Sequence, residues 1–299
     1  MSKLAPVVLF TYKRLETLQR TVSALAANNL ALQSELIIYS DGAKTSEDQS
    51  VVTEIRSYLK TILGFKSIQI HESEINKGLA TSIINGVSEV MAQYHKAIVL
   101  EDDLITSTNF LDYMNAGLDE YQEKKKVFSI SGYAFNLKCK TTEYDSYFLN
   151  RHWPWGWASW EDRWQEVDWD LKDYVSFKSN SKLKKEFSQL GSDVNDMLEK
   201  QMNGNLDSWS IRWTYYIFTK KGLVLFPKIS KINNNGFDIN ATNTIGINNR
   251  YLTDFDISNN TNFDFPEVIE INEKYQKALK RKMGILSRLV NKIKEIILK

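Results

Sequence analysis

The chain has 299 residues, 42% apolar and 25% charged, which suits one large α/β domain or two small ones around a sizeable core. Its net charge of +1 hides an asymmetry: Lys274 to Lys299 carries nine Lys/Arg and one acid, Glu295, leaving the body with 29 basic against 36 acidic residues, a net of −7. Cys139 is the single cysteine, which excludes an intrachain disulfide and suits a reducing cytoplasm, and no apolar stretch is long enough for a signal peptide or a membrane span.

In chain order, Val7–Thr11 reads as a strand, followed by a helix over Leu15–Asn28 with apolar Leu15, Leu18, Val22 and Leu25. Leu36–Tyr39 is a second strand, ending at Ser40-Asp41-Gly42, with a helix over Glu47–Leu63. Ser67–Ile70 is a third, followed by Asn76-Lys77-Gly78, where Asn76 is an expected N-cap, and a helix to about Tyr94. Ala97–Leu100 is the fourth. This alternation predicts a mostly parallel sheet covered by helices. Right-handed crossovers put the carboxyl ends of the strands on one edge. Lys13/Arg14, Asp41, Asn76/Lys77 and the acids Glu101-Asp102-Asp103 are then expected at one crevice, where such sheets bind ligands. Three adjacent carboxylates repel one another unless a cation or donor sits among them, and oxygen ligands suit a hard divalent metal. A solvated loop is the plain alternative.

The second half has a different texture. Five of the eight tryptophans lie between Trp153 and Trp164. Indoles there can form core or a flat stacking platform; Trp153 and Trp155 are the better candidates for ligand contact. Helices are expected over Ser181–Leu190 and Asp193–Met202, and Asp207 can cap another running to about Lys220. Strands follow at Leu223–Phe226 and near Ile229–Ile232, then Asn-rich loops from Asn233 to Asn262. Glu273–Lys299 has a helical pattern, with Ile285, Leu286, Leu289, Ile293, Ile296 and Ile297 spaced by three and four among Lys and Arg. A basic amphipathic helix reads as an anchor on anionic lipid, and otherwise as a helix capping the body. Basic residues are concentrated in this tail without interleaved aromatics, so no nucleic-acid partner is expected. His71 and His95 have no metal-ligand spacing, and His152 is read as structural.

Ile98-Val99-Leu100-Glu101-Asp102-Asp103-Leu104, followed by Asn109-Phe110-Leu111-Asp112-Tyr113-Met114, closely resembles the metal-binding segment of the N-acetylglucosaminyltransferase I family, inverting glycosyltransferases of GT-A fold. Gly156-Trp157-Ala158-Ser159-Trp160, Leu206-Asp207-Ser208-Trp209 and Pro227-Lys228-Ile229-Ser230 resemble later blocks of that family, and Asn76-x-Gly78 to Asn85-Gly86 resembles a helix start widespread among GT-A transferases. The resemblance spans about Pro6 to Asn243 and omits the tail. It implies a Rossmann-like GT-A fold, with a nucleotide-sugar half over residues 1–130 and an acceptor-side half carrying the catalytic base over 131–262; the basic helical tail over 263–299 is read from its own spacing and charge. It further implies Asp103 as ligand of Mn²⁺ or Mg²⁺, with Glu101 and Asp102 at donor sugar and ribose. Asp41 would stand at the uracil N–H, Arg14 at the nucleotide and Asp207 as general base. The chain departs from the family where a loop His is expected; Asn243 is the candidate there.

The function so implied is metal-dependent, inverting transfer from a nucleoside-diphosphate sugar, a UDP-sugar, to a hydroxyl of a glycan or lipid-linked glycan. The expected setting is the cytoplasmic face of the cell membrane, in surface-polysaccharide synthesis, with the protein bound peripherally. Two alternatives stay open: a sugar nucleotidyltransferase, for which Phe10–Glu16 lacks the usual Gly-rich loop, and a noncatalytic nucleotide-sugar or glycan-binding module.

Overall fold

The computed structural model describes residues 3–139, 142–236 and 251–287. It is α/β, with a mostly parallel eight-stranded sheet flanked by helices. The first half alternates as expected: β1 (Val7–Thr11), α1 (Leu15–Ala26), β2 (Glu35–Ser40), α2 (Asp48–Leu59), β3 (Ser67–Glu72), α3 (Leu79–Tyr94) and β4 (Lys96–Glu101). β1 is buried throughout, and α1 buries Leu18, Val22 and Leu25, one stripe of the helix. Phe10, Tyr39 and His71 share a register across β1, β2 and β3, and their rings stack at 5.3 and 4.7 Å. Gly86 lets α3 approach this ladder: a Cβ there would stand 3.0 Å from the Phe10 and Tyr39 rings. That contact offsets the ~1 kcal/mol a mid-helix glycine costs.

The later elements are β5 (Leu104–Thr106), α4 (Phe110–Tyr121), β6 (Val127–Ser131), β7 (Ser146–Leu149), β8 (Trp157–Trp160) and α5 (Glu161–Trp164). After them come α6 (Tyr174–Ser179), α7 (Ser181–Phe187), α8 (Val194–Met202), α9 (Trp209–Thr219), β9 (Leu223–Pro227), β10 (Ile232–Asn234) and α10 (Glu273–Lys282). The sheet order is β3-β2-β1-β4-β8-β6-β9-β7. β8 and β7 run antiparallel to their neighbours, while β6 and β9 keep the direction of β4. Strands from both halves of the chain thus share one sheet. A smaller apolar cluster, including Leu171, Phe177, Phe187, Val194, Leu198 and Tyr215, holds α6–α9 together.

Several expected details change. The strand near Ile229–Ile232 is displaced to Ile232–Asn234, which pairs with β5 rather than joining the main sheet. Asp207 does not cap α9; Ser208 does, its Oγ accepting from Ile211 N–H at 3.3 Å. Asn76 does not cap α3, whose N-cap position is Gly78 and which has no side-chain cap; the Asn76 Nδ2 donates to Gly42 O at 2.8 Å instead. The tail pattern is not one unbroken helix over the described residues, since α10 ends at Lys282 before a turn at Met283-Gly284, the stop signal glycine supplies. Leu289, Ile293, Ile296, Ile297 and Asn243 lie outside the described residues. Among the described residues no helix is long and apolar enough to cross a membrane.

Candidate active site

Because β1, β2, β3 and β4 run parallel, Arg14, Asp41, Lys77 and the acidic triplet follow or lead from strand ends on one edge, as the alternation requires. The Arg14 guanidinium joins two of the acids, donating from one nitrogen to Asp102 Oδ1 at 2.6 Å and Asp103 Oδ2 at 2.9 Å. Asp102 is buried, and its other oxygen accepts from Thr11 Oγ1 at 3.0 Å and Tyr12 N–H at 3.3 Å. It therefore ties the end of β4 to the end of β1. Burial first, then the carboxylates of Asp103 and Asp102, push Glu101 up to about 8. Burial also raises Asp103 above the usual carboxylate range, against the pull of Arg14.

Asp41 is a buried hub. Oδ1 accepts from the N–H groups of Gly42 and Lys77 at 2.9 and 2.8 Å, and Oδ2 from Gly78 N–H at 3.0 Å. Three of roughly four acceptor positions on a carboxylate are thus used, and one remains. Lys77 itself is exposed. The hub fixes the loop that opens α3 beside the end of β2.

A second ribbon closes over the triplet. Antiparallel pairing of β10 with β5 sets Asn234 opposite Leu104, and Asn235 N–H donates to Asp103 O at 2.9 Å. Gly236 then lies against the Asp103 side chain, so that a Cβ there would collide with the carboxylate. Gly236, Thr11 and Tyr12 escape a reading by residue type. The one visible signal was the Asn-Asn-Gly turn at 234–236.

On the neighbouring part of the same edge, Gly132 N–H donates to Gly156 O at 2.7 Å, and Trp153 and Trp155 meet Tyr133 and Tyr251. Trp153 is buried within this cluster; Trp155 is half-buried and offers more surface. Trp157, opposite Val99 in register, stacks on Trp209 with centroids 5.1 Å apart. Two residues before Trp209 stands Asp207, 63% exposed, with Oδ1 accepting from Arg212 at 3.1 Å. Its edge follows from topology: α9 feeds β9, which has the direction of β4, so α9 starts at the carboxyl edge.

His152 sits edge-on to Trp157 and Trp209, and neither ring nitrogen has a hydrogen-bond partner among the described residues. Burial, then the charge of Arg151, pushes it down to about 3 from 6.5. The unfolded chain protonates below 6.5 while the folded one does not, so stability is complete above that value and falls as pH drops toward about 3. Between pH 6.5 and about 4.5 this single group is expected to remove about 2 kcal/mol, and His152→Phe should abolish that share of the slope. Urea unfolding at both pH values checks this; an unchanged slope would mean that the ring is charged in the fold.

No protein-family model matches the chain, and no curated protein does. Among solved structures the likenesses are partial. The chain is similar to a mannosyltransferase from Pyrobaculum calidifontis in complex with GDP-Man and Mn²⁺ at 10% identity and a TM-score of 0.39, covering 55% of this chain and 46% of that one. It is similar to S. aureus TarS at 12% identity and a TM-score of 0.38, covering 55% and 29%. It is similar to galactosyltransferase LgtC in complex with donor and acceptor sugar analogs at 10% identity and a TM-score of 0.38, covering 71% and 70%. The chain spans less than half the length of the first two.

Chemically, the edge offers carboxylates alone to a cation, the donor set a hard divalent ion prefers. No group of three or more His, Cys, Asp or Glu is arranged as a metal cage among the described residues. An ion held by one or two carboxylates and completed by substrate phosphates needs no such cage. Glu101, raised by burial and by the charges of Asp103 and Asp102, and Asp103, raised by burial and by Asp102, fit that mode.

Proposed function

We propose that the chain is a metal-dependent, inverting glycosyltransferase of GT-A type. It moves a sugar from a nucleoside-diphosphate sugar, a UDP-sugar, to a hydroxyl of a glycan or lipid-linked glycan. The observation that carries the reading is the desolvated carboxylate pair of Asp102 and Asp103, bridged by Arg14 at the carboxyl edge of the sheet beside Glu101, which burial pushes up. The open carboxylate of Asp207 is assigned to the same edge from the direction of α9 and β9. Asp103 is the residue to hold Mn²⁺ or Mg²⁺, and Glu101 and Asp102 stand toward donor sugar and ribose. When bound, that ion supplies Lewis-acid stabilisation of the departing diphosphate.

The chain's own groups do the rest. Arg14 brings fixed positive charge to the place where the nucleotide is bound, and Asp41 and Lys77 define the pocket beside it. Asp207 takes the proton of the attacking hydroxyl as general base. One of its oxygens is oriented by Arg212, and the other carries no bond among the described residues. As the new bond to the anomeric carbon forms, the bond to phosphate breaks, and a single displacement inverts the configuration. Trp155, and Trp153 behind it, give the acceptor an aromatic wall. Outside the described residues, Asn243 is proposed to stand where the resembling family has a His. The 1–130, 131–262 and 263–299 division is kept as a functional one: donor, acceptor and tail. The tail places the enzyme peripherally on the cytoplasmic face of the membrane. Release of nucleoside diphosphate from a donor sugar by the purified chain, with Mn²⁺ and with chelator, tests the reading.

A further inference from the structure

α10 has two unlike faces. Tyr275, Leu279 and Met283 are buried, with Tyr275 stacked on Tyr147 at 3.7 Å. Lys274, Lys277, Lys280 and Arg281 are exposed on the rest of it, and Glu273, its one acid, stands at its first position. A second basic element adjoins it. α7 exposes Lys182, Lys184 and Lys185 together with Leu183, against one acid, Glu186. The turn after α7 is fastened to α10, since Gln189 O accepts from Gln276 Nε2 at 3.3 Å and Gln189 Oε1 accepts from Lys280 Nζ. Seven cations from two distant parts of the chain therefore border one junction, on a protein whose body is net acidic.

The helix also has a direction. Asn272 N–H, at its start, donates to Phe148 O inside β7, the edge strand of the sheet. At its end, Lys282 Nζ donates to Asn136 O at 3.1 Å, past the carboxyl end of β6. α10 thus runs toward the edge that carries the acidic triplet. Just beyond it Ile285 and Leu286 are 65% and 80% exposed. Apolar side chains at the end of a basic helix suit the headgroup boundary of a bilayer. A cluster of Lys and Arg is drawn to anionic lipid over a range of about 10 Å at 0.1 M salt.

We propose that α7 and α10 form one docking face for an anionic bilayer, with Ile285 and Leu286 entering the headgroup layer and the carboxyl edge of the sheet turned toward the lipid. This rests on the transferase reading for its consequence only: the acceptor arrives on a lipid, from the membrane side of the site. The α7 contribution separates the inference from a tail that binds by itself.

The test is sedimentation of the full chain with vesicles of phosphatidylglycerol and phosphatidylcholine in equal parts, against phosphatidylcholine alone. The expected result is binding to the anionic vesicles only, lost at high salt. K277E/K280E/R281E and, separately, K182E/K184E/K185E should each weaken it at least about tenfold. I285D/L286D should weaken it while leaving its salt dependence in place. Equal binding to both vesicle types, no binding, an unaffected α7 variant, or salt-sensitive self-association in place of lipid binding would overturn the proposal. Donor turnover measured on the same samples with a water-soluble acceptor keeps the two readings apart. Turnover without vesicle binding removes the docking face alone, and vesicle binding without turnover removes the transferase reading alone.

Discussion

Asp103→Ala is expected to lose at least about 10³-fold in sugar transfer, because on the proposed reading several kcal/mol of transition-state stabilisation pass through the ion that this carboxylate would hold. The same variant is expected to melt no lower than the parent. Asp103 is held above the usual carboxylate range by burial and by Asp102, so its removal relieves a like-charge contact. Arg14 keeps Asp102 as partner, and Asp102 keeps Thr11 and Tyr12, so the tie between β1 and β4 survives. Activity lost with stability kept is the signature of a group maintained for chemistry at a cost to the fold. Asp102→Ala is the contrast, since it breaks that tie. Melting curves and turnover on the same preparations check the pair. A variant with turnover intact would place the ion elsewhere or remove it from the mechanism.

Asp207→Asn carries the second large effect. The amide cannot take a proton, so kcat should fall by about 10²–10⁴-fold while the donor KM stays near its parent value. Because Asp207 is 63% exposed, its pair with Arg212 contributes little to stability. Ser208 is the useful neighbour: as the true cap, Ser208→Ala should cost about 1 kcal/mol of stability with kcat preserved. The two effects separate on adjacent residues. If Asp207→Asn turned over at the parent rate, Asp207 would be an ion-pair partner of Arg212 and nothing more.

Much of this was legible from residue order, and the limits have physical causes. The first half could be read because β1, β2 and β4 are short apolar runs, β3 alternates apolar with polar residues and each helix carries a 3.6-residue stripe, and parallel topology then fixes which strand ends gather. The second half resisted. Trp157–Trp160 is only four residues, and its aromatic content reads as core or platform before it reads as the strand that links β4 to β6. β10 was displaced because its register comes from β5, more than a hundred residues earlier, rather than from local pattern. At 207–208 both side chains are good caps, and only the structure shows Asp207 turned to Arg212. Asn76 lost its expected role for a long-range reason, since Asp41 already accepts from the N–H groups of Lys77 and Gly78. Gly284 was a stop signal in plain view, overridden by the apolar spacing on either side of it.

The edge formed by Arg14, Asp41 and the acidic triplet is proposed to turn over a nucleotide sugar with help from a divalent ion. The most direct test is nucleoside-diphosphate release by the unmodified chain across a panel of donor sugars, in Mn²⁺ and in chelator. The expected result is release from one donor class, led by a UDP-sugar, that Mn²⁺ supports and chelator abolishes. Release that is equal with and without the metal, or no release from any donor in its presence across glycan and lipid-linked acceptors, would contradict it.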